Sequence, residues 1–376
     1  MEKAAITNKN IIFALWHIVP QWAQCAGKER YNHIKYLIMN KKNLFLIAFA
    51  AVVLLAMSSC SGAMKPGKPG SSGKTLELMV VASDGIYNGP TQKVIDSLFR
   101  TPQVALNYPQ SRFDVVHIVP SSFNGNSMFQ AHRNILILEV DPQGLNKIYL
   151  DNDQWSTPQV VVRVTATDRR SLDSLLLVKG ERLLEEYYKQ EYRRMNKVFS
   201  AAPNVKIINK IKEKYGYSLS IPEEFELATL RCESDFTWVL KRTKDFDLHL
   251  YLYSRESVGP KDFEEAVILD NLDTILRRYV PGPTEGSYPG VERRDFFYTR
   301  DVVLGDSIDA IETRGLWRTY NDFMGGPFVC YTFALPGSDK VYTMMGCVYS
   351  PSERNKMVNR RDLLMQIDGI CRSIKL

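Results

Sequence analysis

A serine becomes a nucleophile only when a base is held beside it. The block "VVLGDSIDAIE" sets Ser307 after an apolar run and a Gly305-Asp306 pair, but the last histidine of the chain is His249, so none follows the serine to serve it. The block reads as a hairpin turn. The run "GKPGSSGKT" has the flavour of a phosphate loop, yet Gly67 and Gly73 stand one residue too far apart, and a strand follows where the motif needs a helix. Beyond residue 59 the only histidines are His117, His132 and His249, with no C-x-x-C or H-E-x-x-H, so no metal site and no cofactor is read. His117 and His249 fall in strand patterns and read as hydrogen-bonded structural histidines. The acid pairs Glu185-Glu186 and Glu264-Glu265 lie on amphipathic helices, where sequence neighbours point in different directions. One catalytic route stays open: a carboxylate pair brought together across the fold, as glycoside hydrolysis requires.

The densest unusual segment is "RGLWRTYNDFMGGPF", with Trp317, Arg318, Tyr320, Asn321 and Phe323 ahead of Gly325-Gly326. Trp, Tyr and Arg are the types that dominate binding hot spots, and a Gly pair lets a backbone come close to something else. These seven residues form the candidate binding patch. The alternative is a hairpin whose aromatics fill a core. Four cysteines follow Cys60: Cys232, Cys330, Cys347 and Cys371. Cys330 and Cys347 sit on two expected strands around "PGSD", where an oxidising compartment would permit a disulfide. The other reading makes all four small buried hydrophobes.

From Leu44 to Met57 the chain runs fourteen residues without a charge, Pro or Gly. That is short of the roughly 20 a membrane helix needs, and it fits the apolar region of a signal peptide. Lys41 and Lys42 precede it; Ser58, Ser59 and Cys60 follow. The arrangement resembles a bacterial lipoprotein signal, with Met57 where Leu is favoured, and implies cleavage before a lipid-bearing Cys60. An uncleaved anchor or a plain signal cut after Ala63 are the alternatives. Residues 39–59 are read as the signal and Met39 as the initiator. Residues 1–38 are then a start-site artefact, or else a real extension. Residues 60–74 are read as the lipidated cysteine and a Gly- and Pro-rich flexible tether. Two or more acyl chains anchor stably where one does not. Of 48 basic and 42 acidic residues, seven and two fall before Cys60, which leaves 41 against 40. That balance, with no basic stripe, argues against nucleic acid as a partner.

The remaining chain divides by pattern. Residues 75–203 alternate apolar strands (75–82, 113–119, 134–140, 158–166) with helices, the first with Pro90 near its start and the second from about Asp168 to Phe199, where Gly180 predicts a kink or a break. A Pro-Asn turn and a short helix ending at Gly216 mark the boundary. Residues 204–376 read as an antiparallel sheet with an amphipathic helix over 261–280. A last helix is expected to start at "SPSE", with Ser350 as cap, Pro351 in its first turn and Glu353 completing a capping box. The fold class is therefore α+β, two α/β-type domains.

The second half, through "GYSLSIPEEF", its central sheet and a closing helix into "RSIKL", resembles the PsbP/Mog1-like sandwich. The whole chain, through its lipoprotein signal, "SDGIYNGP" and "RGLWRTYNDFMGGPF", resembles an uncharacterised lipoprotein family of Bacteroidetes catalogued only as a domain of unknown function. That resemblance implies a lipid anchor in the envelope of a Gram-negative bacterium and brings no activity or site residues with it. No acid occurs among Ser61, Gly62, Ala63, Met64 and Lys65, which within that likeness favours the periplasmic face of the outer membrane. The function expected is a membrane-tethered, non-catalytic module that binds an envelope protein or small ligand. The alternative is an envelope hydrolase acting on glycan or peptidoglycan.

Overall fold

In the parallel half, strands are apolar on both faces because both must be covered. The computed structural model describes residues 67–228, 235–351 and 359–376. The signal, Cys60 and Cys232 lie outside the described residues, as do residues 352–358. Strands β1 (Glu77–Val81), β2 (Asp114–Ile118), β3 (Asn134–Val140), β4 (Lys147–Asn152) and β5 (Val160–Ala166) form a sheet in the order β2-β1-β3-β5-β4, parallel except for β4. Helices α1 (Pro90–Phe99) and α2 (Arg169–Ala201) cover the face that presents Leu78, Val80, Leu136, Leu138, Val162 and Val164. Met79, Val81, Ile135, Ile137 and Val161 point the other way, onto Phe123, Phe129 and Trp155.

Helix α2 runs unbroken through Gly180. The glycine serves packing: a Cβ there would lie 2.3 Å from Leu98 Cδ2 and 2.8 Å from Cδ1, so its absence lets α1 press against α2. The expected break does not occur, and the glycine makes a close helix contact instead. The expected tether also ends early. The Thr157 N–H donates to Pro69 O (2.9 Å), the Ser72 N–H to Ala131 O (2.9 Å), and the Arg133 N–H to Ser72 O (3.0 Å). Residues 69–73 are a strap, fixed because backbone groups near the starts of β3 and β5 need partners.

Helix α3 (Val205–Tyr215), capped by Asn204 and closed by Gly216 in the left-handed region, leads into the second half. There β6 (Glu226–Leu227), β7 (Phe236–Arg242), β8 (Asp247–Glu256), β9 (Tyr288–Val291), β10 (Tyr298–Leu304), β11 (Ile308–Tyr320), β12 (Gly325–Ala334) and β13 (Lys340–Tyr349) form one antiparallel sheet, ordered β10-β11-β12-β13-β8-β7-β6 with β9 also on β11. Helix α4 (Glu265–Tyr279) covers one face, against Trp317, Phe328, Cys330, Met345 and Cys347. Helices α3 and α5 (Arg360–Arg372) cover the other, against Leu250, Val329, Tyr331 and Met344. Pro351 is not helical, and α5 begins at Arg360. Its cap is Asn359, whose side chain accepts the Asp362 N–H at 3.0 Å. Glu353 and the turn expected to follow Ser350 lie outside the described residues.

Helix α5 closes both halves. Met365 enters the core of the parallel sheet, while Leu364, Ile367 and Ile370 enter that of the antiparallel one. Arg361 donates to Ser111 O (2.8 Å) and to Asp114 Oδ2 (3.0 Å). Lys68–Leu376 accordingly forms one compact unit.

Gly180→Ala sets a helix-propensity gain of about 1 kcal/mol against an overpacking cost of about 1–3 kcal/mol. Because three Leu98 atoms lie within 3.1 Å of the new Cβ, overpacking wins, and thermal melting is expected to shift down. A second expectation concerns pH. His249 is buried on β8, its Nδ1 accepts from Trp238 Nε1 (3.2 Å), and burial, reinforced by Arg242, lowers its pKa to about 4. The folded state thus favours neutral imidazole. Stability is complete above the unfolded value near 6.5 and falls as pH drops toward 4, by about 3 kcal/mol in all. Urea unfolding at a series of pH values should show this slope, and His249→Gln should flatten it.

Candidate functional site

Trp317, the centre of the expected patch, faces inward. It is 6% exposed, packs beneath α4 and donates Nε1–H to Val348 O at 3.1 Å. The glycine pair belongs to the same packing. A Cβ on Gly326 would fall 2.1 Å from Val348 O, and one on Gly325 would fall 2.8 Å from Trp317 O. Arg318 pairs with Glu292 (3.2 Å) and lies over Tyr320, which stacks on Tyr288. Asn321 takes a positive φ at the hairpin tip, and Phe323 beside it is fully exposed. The seven residues therefore divide between a core and a solvent-facing tip. Cys330 and Cys347 are free buried thiols; the register sets Cys330 opposite Met345 and Cys347 opposite Phe328. Gly305, Asp306 and Ser307 form the β10–β11 turn, where Ser307 is exposed. His117 bonds Ala82 O at 2.9 Å and stacks on Tyr87, and His132 lies between Asn134 and Glu77. Among the described residues no group of His, Cys, Asp and Glu could hold a metal ion.

The chemistry gathers elsewhere. On β11 the side chains facing α5 run Ile308, Ala310 and then Glu312 and Arg314, so an apolar alternation turns charged while staying inward. Asp368 on α5, four residues after Leu364 and three before Cys371, meets them at the helix's apolar stripe. Asp368 is 1% exposed and Glu312 fully buried. Asp368 accepts four hydrogen bonds: from Arg314 Nη2 (2.5 Å), Arg372 Nε (3.0 Å), the Tyr331 hydroxyl (2.5 Å) and the Tyr192 hydroxyl of α2 (2.7 Å). Glu312 accepts from Arg314 Nε (2.6 Å), Arg372 Nη2 and Arg300 Nη2 (3.4 Å), and shares the Tyr331 proton with Asp368 at the longer distance of 3.2 Å. Arg372 also lies over the rings of Tyr192 and Tyr331.

Burial alone would push both carboxyls up. Arg314 and Arg372 beside them more than reverse this, and both sit below the ordinary carboxylate range. Burial pushes the Tyr192 and Tyr331 hydroxyls up, so both stay protonated as donors. The acid route anticipated for a folded carboxylate pair needs one carboxyl protonated near neutrality. This pair has no such member. Its shared partner Tyr331 brings the two carboxylates together, but both are ionised and saturated with donors, an arrangement that holds charge in place.

The network floors a cavity of about 790 Å³ between α2, the β10–β11 hairpin and α5, where Arg300, Arg314, Arg372 and Asp368 meet Tyr188 and Tyr192. Glu185 and Glu186 line its α2 wall. The sequence reading missed this site. Its one visible signal was a charge on each of two apolar stripes, Glu312 on a strand and Asp368 on a helix.

Two stretches of the chain are similar to known families. Residues 71–200 match a domain of unknown function (DUF8532), and residues 204–373 match a second (DUF4837). No curated protein matches the chain. The two matched stretches correspond to the parallel and antiparallel sheets with their helices, and the cavity lies where they meet.

Asp368→Asn leaves Arg314 and Arg372 facing a neutral amide and is expected to destabilise the protein by about 3–5 kcal/mol. Tyr192→Phe removes one donor of four and should cost less, about 1.5–3 kcal/mol. Urea unfolding of both variants checks the order.

Proposed function

We propose that the chain is a non-catalytic binding module whose site is the cleft over Glu312, Arg314, Asp368 and Arg372. We propose further that it is held in the cell envelope of a Gram-negative bacterium by lipid on Cys60, on the periplasmic side of the outer membrane. The observation that carries the binding reading is the saturation of both carboxylates at the floor of a roomy cavity. Such a floor recognises a ligand by fixed charge and has no proton to give or take. The lipoprotein-like signal, the Gly- and Pro-rich sequence that follows Cys60 and the PsbP/Mog1-like likeness of the second half support the same reading. The hydrolase reading would need a carboxyl outside this network.

Two measurements test the proposal. A low-molecular-weight extract of bacterial envelopes should raise the melting temperature of the purified mature chain, and the bound compound should be recovered unchanged by mass spectrometry. Recovery of cleaved products would overturn the non-catalytic reading. For the anchor, the intact mass should lack residues 1–59 and include lipid, and Cys60→Ala should leave the membrane fraction. A Cys60→Ala protein that stays membrane-bound would overturn it.

A further inference from the structure

We infer that the cleft takes an oxyanion, a carboxylate or a phosphate on a small molecule, against the guanidinium groups of Arg300, Arg314 and Arg372. This deepens the binding reading and rests on it. The floor sets three guanidinium groups against two carboxylates, which leaves one positive charge in surplus. The other charged side chains lining the cavity balance, five of each sign, so the surplus belongs to the floor.

The donors point the same way. Arg314 and Arg372 spend Nε and Nη2 on Glu312 and Asp368, while their Nη1 groups bond none of the described residues. Arg300, 42% exposed at its side chain, holds Glu312 by a single contact of 3.4 Å. A guanidinium edge with free N–H groups matches a carboxylate or phosphate in fork geometry. A cation finds no equivalent welcome, because Asp368 accepts four bonds and Glu312 accepts three, with a share of the Tyr331 proton besides. The cavity is far larger than one ion, so the anionic group is the head of a larger molecule. Tyr188 of α2 and Val302 of β10 offer surface for its uncharged part.

Titration calorimetry of the purified mature chain with benzoate, benzamide and inorganic phosphate tests this. Saturable binding of benzoate or phosphate, absent for benzamide and weakened by added salt, is expected. Benzoate alone assigns a carboxylate, phosphate alone a phosphate, and both together support the oxyanion in general. Arg300→Gln removes the surplus charge from the most exposed member of the floor. It should weaken anion binding at least tenfold while the protein still melts cooperatively, less destabilised than Asp368→Asn because its contact to Glu312 is long and partly exposed. Equal binding of benzoate and benzamide overturns the anion assignment and leaves the cleft a binding site. Absence of saturable binding by all three probes, or an Arg300→Gln protein that binds as wild type does, overturns it too. The extract experiment judges the binding reading separately.

Discussion

A carboxylate cut off from water must be surrounded by donors or give up its charge. Asp368 meets that demand with four, drawn from α2, β11, β12 and its own helix. The geometry of the molecule follows from this. Helix α5 must lie across β11 and β12 at the depth where Arg314 and Tyr331 reach it, and α2 must come near enough to bring Tyr192. At Gly369 a Cβ would stand 3.2 Å from Met195 Sδ, so the helices meet closely at the next residue along. Buried ion pairs of this kind are poor sources of net stability. What this one provides is position: the two sheets sit against each other in a single arrangement, because few others would satisfy four donors at once.

The domain boundary read from sequence, and the two matched stretches that flank it, therefore mark a change of pattern more than a division of the fold. Arg361 belongs to the second stretch and bonds Ser111 and Asp114 of the first. Met365, one turn later, is in the core of the first.

Much of the fold was legible in the chain. β1, β3 and β5 announce themselves as β-branched and apolar runs, and the α2 stripe survives 33 residues. β4 was missed because "KIYLDN" is an edge strand, exposed along most of its length, with only Ile148 and Leu150 to mark an apolar face. Gly180 and the Gly325-Gly326 pair were read through backbone freedom, when what decides them is a neighbour: Leu98 in one case, the Trp317 and Val348 carbonyls in the other. The described helix α5 starts from its cap Asn359, which caps as well as a serine does; the turn expected from Ser350 falls outside the described residues. The site was harder. Glu312 and Asp368 lie 56 residues apart, each a lone charge on an apolar stripe; their meeting is set by register and helix placement, which composition does not carry. Trp317, by contrast, drew notice by its type, and its type is what a well-filled core also wants.

Helix α5 has a consequence for the order in which the molecule can be completed. Chains are made from the N-terminus, and domains generally fold as they emerge. Here the parallel sheet can form early, yet its core lacks Met365 and its Tyr192 hydroxyl lacks Asp368 until nearly the whole chain has been synthesised. The antiparallel sheet waits on the same segment for Leu364, Ile367 and Ile370. Two half-finished cores are thus closed by one late arrival, and a nascent chain stalled short of residue 368 would hold both open.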